Sequence, residues 1–281
     1  MDKISLVIKS YIPDAIRALR CVQSIHRHNK DNIPVYLLIK RAEESKFKEV
    51  FGDTKVNIIH DETITTTPTL PGWLYQQIIK SQFWVTGLSE NYVTVDSDTV
   101  FFKDFYESDF MYDDNTPYIV MGERKDFLDE AWKLNRVGIH QDMKGRDIYG
   151  ARITNCIKRI REIIPNNINK FYDYGTSPYI FNSTVWRHFR DNYLVPNNLS
   201  FTNFSIILNN EGKMSESTIY GEYYLYSNLK KIMPISPLVK CYHDRSHWEF
   251  DKKHNIGIED LKPNYIGYIL QSNWSEEDLE L

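Results

Sequence analysis

The sequence predicts an α/β fold, a mostly parallel central sheet with helices packed on both faces. Strand-sized apolar runs alternate with helix-length stretches from residue 4 to residue 95, and crossovers of that length join parallel neighbours. The fourth run ends on an acidic pair, Asp96 and Asp98, at the strand end where open sheets of this class bind ligands.

Taken in order, residues 4–8 are the first apolar run, Pro13 opens a helical stretch reaching residue 28, and residues 35–39 read as a second buried strand. Residues 42–51 have helical spacing and stop at Gly52, residues 56–60 give a third strand, and residues 72–88 a helix closed at Gly87. Residues 92–95 make the fourth strand. Beyond Asp98 the alternation loosens. A strand at 118–121 precedes helical stretches at 127–136 and 148–164, the second stopped by Pro165, and residues 165–174 read as an Asn-rich loop. Residues 179–181 suggest a strand, 184–193 and 221–229 helices, and the tail short strands near Ile232 and over 265–270. Repeats and linkers are not evident, so residues 1–281 read as a single domain.

Composition narrows the function. A net charge of −4 argues against a surface built to grip nucleic acid. Cys21, Cys156 and Cys241 are odd in number and widely spaced, which predicts reduced thiols, a cytoplasmic location and no zinc cluster. No apolar run reaches the roughly 18 residues of a membrane span, which leaves peripheral membrane contact open. Lys9-Ser10-Tyr11-Ile12-Pro13 lacks the glycines of a dinucleotide loop. Aromatic residues at 14% suit sugar stacking, although ordinary core packing accounts for most rings.

The chemistry centres on residues 92–102, Tyr-Val-Thr-Val-Asp-Ser-Asp-Thr-Val-Phe-Phe. Residues two apart in an extended chain point the same way, so both carboxylates could address one site. Held together, they call for a cation, a donor or a proton, and Mg²⁺ or Mn²⁺ commonly bridges such carboxylates to substrate phosphates. A plain turn cap is the bland alternative. The same residues also fit the first motif of haloacid-dehalogenase-like phosphatases, whose first Asp is phosphorylated; there, however, the motif follows the first strand. A sugar-binding protein without catalysis is a third reading.

The chain resembles GT-A glycosyltransferases, with their Rossmann-like sheet and Asp-x-Asp motif, and among them bacterial capsule- and surface-polysaccharide type transferases. The resemblance rests on Pro71-Gly72-Trp73-Leu74-Tyr75-Gln76-Gln77-Ile78-Ile79-Lys80, Asp96-Ser97-Asp98, Tyr179-Ile180-Phe181, Glu222-Tyr223-Tyr224-Leu225-Tyr226 and Gln271-Ser272. It implies a donor half over about residues 1–121, an acceptor half and lid over about 122–281, and a nucleotide sugar, expected to be UDP-linked, as donor. The acceptor would be an oligosaccharide or lipid-linked glycan. Asp98 would be the main metal ligand, with Asp96 reaching the metal through water or binding ribose. Gln76, Gln77 and Lys80 share a helix, and Lys80 could reach the diphosphate or pair with Asp96. A late histidine, His243 or else His247, would add a metal or diphosphate ligand. Glu222, expected on a helix burying Leu225 and Tyr226, would face the cleft as catalytic base or acceptor anchor.

Overall fold

A computed structural model describes residues 1–66, 70–123, 125, 149–164, 168–210, 214–243 and 245–271. The expected helix at 127–136 lies outside the described residues, as does Ser272. Strand β1 (Asp2–Lys9) is followed by helix α1 (Ala15–His28), which a 3-10 turn containing Pro13 introduces. Then come β2 (Val35–Ile39), α2 (Glu44–Phe51), β3 (Asn57–His60), the short α3 (Asp61–Ile64), α4 (Gly72–Gln82), β4 (Ser89–Asp96) and β5 (Thr99–Phe101). After β6 (Ile119–Val120) come α5 (Tyr149–Ile163), β7 (Tyr179–Asn182), α6 (Ser183–Phe189), α7 (Phe201–Asn210) and α8 (Glu216–Ser227). The chain continues with β8 (Pro234–Ile235), β9 (Val239–Tyr242), α9 (Arg245–Lys253), α10 (Ile258–Leu261) and β10 (Gly267–Leu270).

The main sheet has the order β3-β2-β1-β4-β7, parallel except for β7, which runs antiparallel to β4. The fold is therefore the expected α/β class, with one reversed edge strand. Alternation along β1 explains the layering, because successive side chains of a strand face opposite ways. Ile4, Leu6 and Ile8 join α1 and α2 in one core, whereas Val7 packs with Leu74 and Ile78 of α4 and with Tyr92 in the other. Fully burying each such aliphatic side chain contributes about 1.5–3 kcal/mol.

A smaller sheet, β5-β10-β9, leaves the main one just past Asp98. Its register sets Thr99 opposite Ile269 and Ile269 opposite Cys241, so the far tail of the chain returns beside the acidic pair. Two glycines respond oppositely to their surroundings. A Cβ on Gly221 in α8 would lie 2.0 Å from the Tyr174 ring, whereas one on Gly72 would meet nothing within 4 Å. Gly221→Ala should therefore lower stability in urea by about 1–3 kcal/mol, as overpacked cores do. Gly72→Ala should leave it unchanged or raise it by up to about 1 kcal/mol. Equal stability of the two variants would contradict this packing.

Candidate functional site

The site forms where the connections change direction. From β1 the chain winds outward through β2 and β3, then returns to add β4 on the other side of β1. That reversal sets the switch point, at which such sheets bind ligands, at the carboxyl ends of β1 and β4. Lys9 and Asp96, the last residues of the two strands, are register partners there.

Asp96 follows Tyr92 and Thr94 on the α4 side of the sheet and forms an ion pair with Lys80. The Lys80 side chain is only 3% exposed and that of Asp96 34%. Burial pulls the lysine pKa down, but Asp96 and then Glu216 outweigh it, and the ammonium is held above its usual value. Asp96 is also fixed through its backbone: its N–H donates to Ser177 Oγ at 3.0 Å, and that hydroxyl donates to the Thr94 carbonyl at 3.3 Å.

The expectation of an extended Asp96-Ser97-Asp98 segment needs correcting. Ser97 and Asp98 form the turn between β4 and β5, so the two carboxylates do not share a strand face. Asp98 instead lines a small pocket together with Arg17 and Arg20 of α1, Val100, Tyr268 and Leu270. The two aspartates still feel each other. Burial first, then the Asp96 charge, pushes the Asp98 carboxyl up to about 7.

The second sheet brings a further wall. Gln271 donates to Cys241 Sγ at 3.5 Å, and His243 Nδ1 lies 3.5 Å from the same sulfur. Burial, with Asp96 and Asp98 behind it, raises the Cys241 thiol to about 12. The His243 ring is exposed by area, yet desolvation by its surroundings holds it below the ordinary imidazole value, with Asp173 pulling upward. His243 precedes α9 whereas His247 lies within it, so the two are not successive turns of one helix.

Other expected residues fall differently. Gln77 is buried and structural: its side-chain oxygen accepts from the Glu216 N–H at 3.2 Å, at the start of α8. Gln76 is half-buried on α4. Glu222 does not face a cleft, and Tyr226, expected to be buried, is exposed. The buried Glu222 carboxylate accepts from Arg161 Nε at 2.6 Å and from Tyr174 Oη at 2.6 Å. That geometry suits a structural clamp rather than a base open to substrate. The expectation failed because Glu216 through Tyr224 are all buried, leaving no polar face for helical periodicity to reveal.

Sequence reasoning also missed a cluster at the ends of β1, β2 and β3. Lys9 Nζ reaches Asp61 Oδ2 at 2.9 Å and donates to the Ser10 carbonyl at 2.6 Å. Lys9 and Lys40 both stand over the Tyr75 ring, at 5.6 and 5.1 Å from its centre. Burial lowers the Lys9 pKa and raises that of Asp61, each against the pull of the other.

Among the described residues, no three His, Cys, Asp or Glu side chains converge as a ligand set for a metal ion. The donor set still fits a hard cation shared with a phosphate ligand. Lys80 pairs with Asp96, while Asp98, which shares its pocket with Arg17 and Arg20, has no ion-pair partner among the described residues and is the carboxylate that a cation would engage.

Residues 1–231 match a family model described as a family of unknown function, DUF6492. The chain belongs to that family. No curated protein matches this DUF6492 chain. Similar solved structures include the bifunctional glycosyltransferase WbbM in its apo form, 13% identical with a TM-score of 0.49. That match covers 95% of this chain and 45% of WbbM, so the chain spans less than half the length of that protein. Apo mouse xyloside xylosyltransferase 1 is 10% identical with a TM-score of 0.46, covering 97% of this chain and 99% of that one. Among the described residues no helix is long and apolar enough to cross a membrane.

The Lys80–Asp96 contact yields a test of its own. Lys80→Met leaves a partly buried carboxylate beside Asp98 without its cation. Breaking a buried pair costs about 3–5 kcal/mol, and the solvent that reaches Asp96 should reduce this. Lys80→Met should therefore be destabilised in urea by less than that amount, and the double variant Lys80→Met/Asp96→Leu should recover part of the loss. Full stability of Lys80→Met would show that Asp96 does not depend on the lysine.

Proposed function

We propose that this protein is a metal-dependent glycosyltransferase that moves a sugar from a nucleotide-sugar donor, expected to be UDP-linked, to a glycan or lipid-linked acceptor. The observation that carries the reading is the Asp96–Asp98 pair, half-neutralised by Lys80, at the switch point between β1 and β4. In this reading Asp98, with Asp96 directly or through water, would hold Mn²⁺ or Mg²⁺, and His243 would add a ligand to the metal or the diphosphate. When bound, the cation would offset charge on the departing diphosphate.

The protein's own residues would do the rest. Lys80 holds Asp96 in place and contributes positive potential towards the diphosphate. Tyr75 and Lys40, beside the buried Lys9–Asp61 pair at the ends of the parallel strands, would supply an aromatic face and a charged group for the nucleoside. Surface-polysaccharide synthesis is the process to which the resemblance of the sequence points, and a cytoplasmic location would suit it.

Thermal denaturation with UDP and Mn²⁺ tests the reading. Ligand at a hundred times its Kd stabilises by about 2.7 kcal/mol, which raises Tm by roughly 5 °C or more in a chain of this size. The shift should require both components, and Asp98→Asn should abolish most of it while folding normally; Asp96→Asn, which leaves the buried Lys80 ammonium unpaired, should abolish it in a protein whose Tm without ligand is already lowered. No shift in the unaltered protein, or an undiminished shift in Asp98→Asn, would contradict the assignment. Phosphatase activity lost in Asp96→Asn would favour the phosphoenzyme alternative.

A further inference from the structure

A cleft of about 520 Å³ is lined by Asp173, Thr176, Lys240, His243, Asn264 and Tyr265, among others. Its volume falls in the range of small-molecule sites and would admit one or two sugar rings. It adjoins the acidic pair. Cys241 in its wall is influenced by Asp96 and Asp98, and Ser177, four residues beyond Asp173, binds the Asp96 N–H. Lys240 is engaged by Asp251 at 3.0 Å, so the lining presents a larger apolar area, with Pro237 and Val239, into which hydroxyl, amide and carboxylate groups of Thr176, Asn264 and Asp173 are set. Such a wall suits an uncharged polyhydroxylated molecule better than an anion.

Asp173 is the one carboxylate among the described residues lining this cleft. Several contacts fix its backbone. It exchanges two hydrogen bonds with Gly122, each 2.9 Å, and its Oδ1 accepts from the Gly175 N–H at 3.0 Å. Tyr174, its neighbour, donates to Glu222, which Arg161 grips, and the Arg161 guanidinium also donates to the carbonyls of Ile168 and Lys170 at 2.7 and 2.5 Å. Gly175 has φ +68°, and a Cβ there would lie 2.6 Å from Val120 Cγ1. A segment so closely determined, with a backbone conformation suited to glycine, is a common means of holding a side chain at a working site.

We propose that this cleft receives the hydroxyl-bearing acceptor and that Asp173 is the catalytic base, with Glu222, Arg161 and Tyr174 as positioning residues. The inference rests on the transferase reading. The acceptor oxygen bonds to the anomeric carbon of the donor while that carbon's bond to the diphosphate oxygen breaks. The bonding pair departs with the nucleoside diphosphate, and the hydroxyl proton passes to the Asp173 carboxylate and then to solvent. Attack from the side opposite the leaving group inverts the anomeric configuration.

The test uses the full chain with Mn²⁺ and a panel of UDP-sugars, with water or simple alkyl glycosides as acceptors. Asp173→Asn should lower kcat for UDP release by a hundredfold or more, as loss of a general base does, with Tm unchanged and the Kd for UDP–Mn²⁺ within about twofold of the parent. Tyr174→Phe, which removes only the hydroxyl on Glu222, should lower kcat less, without raising the KM of the donor. Near-normal kcat in Asp173→Asn, or a product that retains the donor's configuration, overturns the assignment of Asp173 and leaves the transferase reading standing. Should Asp173→Asn fold poorly, Tyr174→Phe with unaltered kcat overturns the proposal equally. A parent protein that neither binds UDP–Mn²⁺ nor releases UDP from any of the sugars overturns the transferase reading itself.

Discussion

A pair of carboxylates that shares one buried lysine sets the logic of this molecule. Asp96 and Asp98 lie at the end of a central strand, partly removed from water, where like charges repel more strongly than at the surface. The fold answers half of that problem with Lys80, carried on α4 and fixed beside Asp96. Asp98, set across a turn and under α1, remains raised in pKa by burial and by its neighbour. The surrounding architecture keeps this pair at the switch point of the main sheet.

Three parts of the chain distant in sequence converge on that point. The main sheet supplies the pair, α4 supplies the lysine, and the small sheet formed by β5, β10 and β9 brings Cys241, His243 and Gln271 alongside. Opposite them, the segment from Asp173 to Ser177 is held by the Glu222–Arg161 ion pair and by its own turn, and Ser177 binds the Asp96 backbone. A closely held segment that lines a cleft and touches the strand carrying the charged pair is the arrangement expected where two substrates must be held in register.

Much of the sheet was legible because its strands carry continuous buried runs: β1 and β2 follow the apolar residues almost directly. β4 is longer than its apolar run, since Ser89 and Asn91 are buried through hydrogen bonds to Ser5 and the Lys3 carbonyl rather than by hydrophobicity. Helix α7 was overlooked although Phe201, Phe204, Ser205 and Leu208 recur at helical spacing on its buried side. The acidic pair was visible as a motif, but its geometry was not, because Ser97 and Asp98 turn the chain. Glu222 misled because a helix buried nearly all round carries no amphipathic signal. The Lys9–Asp61 pair and the Asp173 cleft depend on strand ends and loops meeting in space, which spacing along the chain cannot express.

A crystal structure of the protein grown with UDP and Mn²⁺ tests the central claim most directly. The account predicts anomalous density for one manganese ion at Asp98 beside the diphosphate, with the nucleoside against Tyr75. Nucleotide bound elsewhere, or a diphosphate there with no metal near Asp98, would contradict it.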